Sequence, residues 1–148
     1  MKSTKRLLLA ATLFVTGACA TSALMVRQTL SSDLGDLTTV KNVEVRTQAG
    51  DVLLAGTFTE GRNSSGKFER IAQLTDPKTS ATRGTAEIDI EHSNGLADET
   101  LLVKLDELPY PESCRLMADG KEVTIFTTMP KGKMEFKLTR RVTSSDQK

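Results

Sequence analysis

The chain has 148 residues, with 20 lysines and arginines, 19 aspartates and glutamates, and two cysteines. Four of the basic residues and none of the acidic ones lie in residues 1–27, so residues 28–148 carry 16 basic and 19 acidic side chains, a net charge of −3. These residues are mildly acidic and lack the basic surface that nucleic-acid binding requires. A single cysteine after residue 27 excludes an intramolecular disulfide there.

The first 26 residues have the layout of an export signal. Lys2, Lys5 and Arg6 come before residues 7–26, which carry no charge and end in several small residues. A basic start, an apolar core and a small-residue end are typical of a signal peptide. Because the basic end stays in the cytoplasm, the chain after Arg27 is expected to be extracytoplasmic: periplasmic, tethered to the envelope or secreted from a bacterium.

Three fates of this segment are open. Ala18-Cys19-Ala20 fits the small-x-small pattern of a peptidase site, and residues 21–23, TSA, offer a second one. Residues 16–19, TGAC, resemble a bacterial lipobox that would make Cys19 a lipidated residue, although an aliphatic residue usually stands in place of Thr16. Residues 7–26 are also about long enough to span a bilayer as a helix. The sequence therefore allows cleavage, lipidation at Cys19 or a retained anchor.

The remaining chain is expected to form one β-domain. Residues 27–40 are polar and predict a linker, and residues 142–148 predict a polar tail. Between them, residues 41–141 contain short strand-like segments separated by turn residues, without an apolar repeat of helical period. About eight strands at this spacing predict a small antiparallel β-sandwich. The predicted fold is all-β, preceded by a signal or anchor helix within residues 1–26.

The clearest strand is residues 85–91, TAEIDIE, in which apolar and acidic residues alternate strictly. This period of two predicts a half-buried strand. The turn signal SNG at residues 93–95 leads into a second alternating segment, so a hairpin is expected. One register places Ala86 opposite Leu105 and Glu87 opposite Lys104, which joins apolar residues on one face and opposite charges on the other.

The later strands follow the same pattern. Asp119-Gly120 is a strong hairpin signal, and a two-residue turn there places Leu116 opposite Val123 and Cys114 opposite Ile125. A further turn at residues 129–132, MPKG, would bring Ile125 opposite Phe136 in the last strand. Residues 83–141 are therefore predicted to be consecutive antiparallel strands.

Few side chains are candidates for catalysis or metal binding. His92 is the only histidine, and no G-x-S-x-G elbow accompanies it. Cys114 alternates with Leu116 and is expected to be buried and structural rather than reactive. One histidine and one cysteine after residue 27 exclude ordinary zinc spacing. We therefore expect no catalytic residue, no metal site and no cofactor.

An acidic row, Glu87, Asp89 and Glu91, lies on the outward face of the clearest strand. Such a row is typical of a solvated strand face that discourages aggregation. A calcium loop beginning at Asp89 would need glycine at its sixth position and glutamate at its twelfth, where the chain has Asn94 and Thr100. The acidic row is therefore expected to be a solvated surface.

Tyr110, between two prolines, is the one candidate for partner contact, because a rigid extended turn would present its ring to solvent. The alternative is a loop residue that covers one end of the core. The predicted function is that of a non-catalytic bacterial β-domain, in the envelope or secreted, which binds a protein or an envelope component and not nucleic acid. The alternative is a small envelope enzyme or enzyme inhibitor that would use His92 and nearby acids.

Overall fold

The computed structural model describes residues 24–106, 108, 112–128 and 132–143. Over these ranges the chain forms ten strands and two short 3-10 turns, Ser32–Leu34 and Leu37–Thr39. The strands are β1 (Leu24–Thr29), β2 (Asn42–Thr47), β3 (Val52–Thr57), β4 (Arg62–Ser64), β5 (Lys67–Thr75), β6 (Thr82–Ser93), β7 (Leu96–Leu105), β8 (Ser113–Ala118), β9 (Lys121–Thr127) and β10 (Met134–Thr143). No helix within these ranges has the length and apolarity needed to cross a membrane.

All ten strands belong to one curled, mixed sheet. Nine of them follow the order β1-β10-β7-β6-β5-β3-β2-β8-β9, and β4 pairs with β5. The prediction of an all-β fold is confirmed, but the predicted sandwich is not confirmed, and β1 runs parallel to β10. The expected signal or anchor helix falls almost entirely on residues 1–23, outside the described residues.

The two edge strands of the sheet, β1 and β9, approach each other. The Thr124 hydroxyl on β9 donates a hydrogen bond to Gln28 Oε1 on β1 at 2.6 Å. Below this contact, the rings of Phe126 and Phe136 lie with centroids 4.6 Å apart. Bulges in β2, β5 and β8–β9 add the local twist that such curling needs. One apolar core therefore fills the inside of the sheet.

The predicted hairpin of β6 and β7 is present, with a different register. Ala86, Ile88 and Ile90 are fully buried, as their alternation predicts. Asn94 and Gly95 both have positive φ, the requirement of a two-residue turn that matches strand twist. This turn places Ala86 opposite Val103 rather than Leu105. A shift of two residues leaves every side chain on its predicted face.

The predicted order of the last strands is wrong. The Asp119-Gly120 turn forms as expected, but a bulge in the β8–β9 pair places Leu116 opposite Thr124 and Cys114 opposite Phe126. The bulge turns Phe126 inward and leaves Ile125 half exposed. The larger aromatic surface thereby enters the core, which favours this register. Moreover, β10 pairs with β7 and β1, and not with β9.

Residues 27–40 differ from the expected polar linker. Their first three residues complete β1, and the rest belongs to a segment that we call the strap, residues 30–41. The strap crosses one end of the curled sheet and buries four apolar side chains in the core: Leu30, Leu34, Leu37 and Val40. Their spacing follows two 3-10 turns and not a strand, so period-two alternation does not reveal them.

Two arginines hold the strap against the sheet. Arg140 on β10 pairs with the buried carboxylate of Glu99 on β7 and donates to the carbonyls of Ser31, at 2.9 Å, and Gly35. Arg70 on β5 donates to two further strap carbonyls, at 2.9 and 2.6 Å. Backbone carbonyls that a strand ladder would otherwise satisfy are thus satisfied by guanidinium groups.

The Arg140 contacts predict a large loss of stability in Arg140→Met. The substitution keeps most of the apolar stem but leaves the buried Glu99 carboxylate without its guanidinium, which costs about 3–5 kcal/mol in comparable pairs. Urea unfolding of the variant and of the parent chain measures the difference.

Arg141→Met is the matched control, because Arg141 and its partner Asp98 are both exposed. Exposed pairs contribute little, so this variant should unfold close to the parent chain. Equal losses in the two variants would contradict the role assigned to Arg140.

Candidate functional site

Outward-facing side chains of four neighbouring strands form a groove of about 320 Å³ on the outer face of the sheet. We call it the outer groove. Its position follows from alternation, because residues next to buried ones on β6, β7 and β10 must point away from the core. The lining residues are Met25, Arg27, Glu87, Asp89, Glu91, Asp98, Thr100, Leu102, Glu135 and Lys137.

Negative charge predominates in the outer groove. Five carboxylates and two basic side chains line it, a formal charge of −3. Two of the carboxylates have basic partners at the rim: Lys67 Nζ lies 2.9 Å from Asp89 Oδ2, and Arg141 Nε lies 2.5 Å from Asp98 Oδ1. The remaining acids therefore concentrate along β6 and at Glu135.

The pKa of Glu87 reflects its burial and its acidic neighbours. Partial burial raises the pKa of this carboxyl first, followed by a hydrogen bond and charge repulsion from Glu69 on β5 and repulsion from Asp89. Lys104 acts in the opposite direction, but the pKa remains raised. Glu87 therefore holds its proton more tightly than an ordinary glutamate does, and the repulsion from Glu69 and Asp89 shows that negative charge surrounds it.

Asp89 supplies an acceptor at the same place. Its Oδ1 atom is shielded from solvent and has no hydrogen-bond partner among the described residues, while Oδ2 meets Lys67. A shielded carboxylate oxygen without a donor is costly, and such atoms in native proteins call for an explanation. A donor from a bound group, added beside Glu87, would remove this cost.

The acidic row was identified from the sequence, but the groove was not. Met25 and Arg27 come from β1, which the sequence assigned to the anchor and linker, and Lys137 comes from β10. In the sheet, β10 pairs with β1 on one side and with β7 on the other, and β7 pairs with β6. No local pattern in the sequence signals that neighbourhood.

Cys114 is fully buried, as predicted. Burial raises the pKa of its thiol to about 11, with a smaller contribution from Glu112. A thiol with this pKa contains almost no thiolate at neutral pH, and thiolate is the reactive form. The structure therefore gives Cys114 the environment of a core residue.

The other candidates lie apart from this groove or outside the described residues. His92 is exposed at the end of β6, where its backbone N–H donates to Gly66 O at 2.9 Å. That His92 is not catalytic stays a prediction. Tyr110 and Cys19 fall outside the described residues. Within the described ranges, no group of three or more histidine, cysteine, aspartate or glutamate side chains has a metal-binding arrangement.

A second, smaller cavity of about 90 Å³ lies where β3 and β5 separate, since they share only the pair Ala55 and Thr75. Its lining combines Leu53, Leu54 and Leu108 with polar side chains. Its volume is well below the few hundred Å³ of ordinary small-molecule sites. The outer groove is therefore the better candidate site.

Comparison of the chain with protein-family models, with curated proteins and with solved structures finds no match in any of the three.

The environment of Cys114 predicts that Cys114→Ser destabilises the fold by about 1–3 kcal/mol, because a hydroxyl replaces the thiol in the core. Cys114→Ala adds no polar group and should cost less. In the native chain the thiol should react with a maleimide many times more slowly than in urea, which mass spectrometry measures. Equally rapid labelling in both conditions would contradict burial.

The Glu87 pKa predicts a pH-dependent gain of stability in Glu87→Gln. Because the folded chain holds this proton more tightly, protonated Glu87 stabilises the fold below the ordinary pKa of 4.5, and this stabilisation is lost as the pH rises through the raised pKa. At pH 7 the neutral glutamine should therefore raise the melting temperature by about 1–3 °C. Thermal unfolding at pH 7 and pH 4 should show the gain shrinking at the lower pH.

Asp98→Asn is the control for this measurement, from the same groove. Arg141 lowers the pKa of Asp98, so ionised Asp98 stabilises the fold at neutral pH. Its neutralisation should not raise the melting temperature at pH 7, and an equal gain in both variants would rule out a specific effect at Glu87.

Proposed function

We propose that this chain is a non-catalytic bacterial β-domain, exported to the envelope or secreted, which binds a protein partner at the outer groove. The partner presents a basic side chain to Glu87 and Asp89. The export signal pattern in residues 1–26 supports the location. The observation that carries the binding site is the raised pKa of Glu87 beside a shielded Asp89 oxygen without a hydrogen-bond partner among the described residues.

The shape of the outer groove supports an extended ligand. Its lining residues come from four adjacent strands and include the apolar side chains of Met25 and Leu102 beside the acids. Met25 is 48 % exposed, an unusual state for a large apolar side chain in this domain. A peptide that alternates basic and apolar residues would cover both kinds of surface.

The test uses the full chain and a fluorescent peptide of alternating lysine and leucine, with a glutamate–leucine peptide of equal length for comparison. Fluorescence anisotropy should show binding of the lysine peptide that weakens as salt rises, because exposed charges are screened. The glutamate peptide should not bind. Glu87→Gln together with Asp89→Asn should weaken binding of the lysine peptide about tenfold, which corresponds to about 1.4 kcal/mol.

The matched control is Glu60→Gln together with Glu122→Gln. It changes the net charge by the same amount on surfaces outside the outer groove. This variant should bind like the parent chain. If both double variants weaken binding equally, the peptide responds only to net charge, and the groove is not the site.

A further inference from the structure

We infer that the open edge of β1 binds one extended segment of a partner protein, which adds to the sheet as a further strand antiparallel to β1. The inference goes beyond the function proposed above, because it concerns the backbone edge of β1 and not the acids of the outer groove. The strands β1 and β9 end the sheet. They meet through the side chains of Thr124 and Gln28, and no backbone pair joins them in the described part of the chain.

The backbone groups of β1 alternate between β10 and this open edge. Leu24 and Leu30 donate their N–H groups to carbonyls on the β10 side, at 3.0 and 2.9 Å. Successive residues of a strand direct their N–H and C=O groups to opposite edges, so Met25, Arg27 and Thr29 direct theirs away from β10. Among the described residues these groups have no backbone partner. A strand laid along the edge would satisfy them.

Apolar side chains are left uncovered on both sides of the opening. Leu24 lies opposite Met134 on the inner face, yet Leu24 is 46 % exposed and Met134 is buried. The two differ because Met134 has a strand on each side, whereas Leu24 has β10 alone. The other large apolar side chains that are exposed in the described ranges are Met25 on β1 and Ile125 on β9. All three therefore flank the opening, where an added strand would cover them.

The edge of β1 lacks the features that commonly prevent strand addition. Edge strands are usually short, bulged, or provided with a proline or an inward-pointing charge. The pairing of β9 contains such a bulge, whereas β1 pairs with β10 over six residues without a register shift. The β1 sequence, LMVRQT, has no proline, and its inward-facing residues Leu24, Val26 and Gln28 carry no charge. The edge of β1 is therefore open to pairing.

Arg27 determines the charge of the segment that fits. Its side chain is exposed on the outer face and forms no ion pair with any described residue. Opposite charges on directly opposed residues stabilise a strand pair, so the residue opposite Arg27 is acidic. The residues opposite Val26, Met25 and Leu24 are apolar, because they meet these side chains. In its own N-to-C direction, an antiparallel segment is therefore an acid followed by three apolar residues.

The position of β9 favours an isolated segment over a second copy of this chain. The Thr124 hydroxyl lies 2.6 Å from Gln28 Oε1, so β9 stands across the opening next to residues 24–27. A second folded copy would bring a further strand about 4.8 Å behind its own edge strand, into the place of β9. An extended segment has no such neighbour. Strand addition of this kind takes its affinity from backbone hydrogen bonds and its specificity from alternate side chains.

The test uses the full chain and a fluorescent peptide, STEVIVTS, in which a glutamate precedes three apolar residues. Fluorescence anisotropy should show binding, and the lysine version, STKVIVTS, should bind about tenfold more weakly. The net charge of −3 over residues 28–148 would favour the lysine version, so a preference for glutamate identifies a local effect. Arg27→Glu should reverse the preference. Absence of binding, or equal binding of both peptides, would overturn the inference.

Backbone methylation distinguishes edge pairing from contact through side chains. The amides of the glutamate and the isoleucine, opposite Arg27 and Met25, face β1, and those of the first two valines face away. N-methylation of the first pair should weaken binding about tenfold, because two hydrogen bonds are lost. N-methylation of the valines should have a much smaller effect. Equal losses from the two changes would show that the peptide does not pair with β1.

A matched pair of variants tests the same edge from the protein. Met25→Pro removes an N–H that faces the opening and leaves the bonds to β10 in place, a position at which edge strands accept proline. Met25→Ala removes the side chain and keeps the N–H. The proline variant should bind STEVIVTS about tenfold more weakly than the alanine variant. If Met25→Pro fails to fold, the methylated peptides still provide the test on the parent chain.

Light scattering of the parent chain and of Met25→Pro completes the test. The parent chain should be monomeric, since the ligand is a segment of another protein. A dimer that Met25→Pro dissociates would make the edge an interface between copies and overturn the inference. The lysine–leucine peptide of the outer groove takes no part in these measurements, so the two proposals fail separately.

Discussion

The ion pair between Glu99 and Arg140 organises one end of the sheet. Glu99 occupies an inward-facing position of β7, with Ala97 and Leu101 as its buried neighbours on the same face. A carboxylate at such a position costs several kcal/mol of desolvation unless a partner compensates for it. Arg140 stands directly opposite on β10 and also holds the strap carbonyls. The Arg140 guanidinium thus neutralises the buried charge of Glu99 and holds the strap over the core.

The strap closes one end of the curled sheet. Its four buried apolar side chains fill the end that the strands leave open, and Lys121 and Asp119 bind its backbone from the β8–β9 side, at 2.7 Å for Lys121 Nζ to Asp33 O. The strap therefore joins the β10 side of the sheet to the β8–β9 side. A domain without an intramolecular disulfide depends on such apolar closure for its stability.

The curl of the sheet forms the outer groove. Twist brings outward side chains of β1, β10, β7 and β6 around a common groove. There Glu87 is repelled by Asp89 in the groove and by Glu69 on the adjacent strand β5. A surface optimised for stability alone would intersperse the two signs of charge. Charge that is retained at the expense of stability is typical of functional sites. The binding role proposed for the outer groove gives this arrangement a physical reason.

Much of the fold was predictable from local pattern. Strict alternation in β6 and β7 predicted which side chains are buried, because a strand turns its residues to opposite faces regardless of its neighbours. The Asn-Gly and Asp-Gly turns were predictable because positive φ is cheap for these residues. The burial of Cys114 followed from the same alternation. For the outer groove, the sequence supplied the acidic row alone.

By itself, then, the sequence determined the all-β class, the faces of the best strands and two of the tight turns, since each depends on residues within a few positions of one another. Only the tertiary structure decided the strand order, the parallel pairing of β1, the inward turn of Phe126 and the burial of Leu30, Leu34, Leu37 and Val40. These features depend on contacts between residues far apart in the chain, such as Arg140 with Ser31. Their free energy comes from filling one shared core and satisfying its buried polar groups, and a local pattern contains no information about which distant segment will do so.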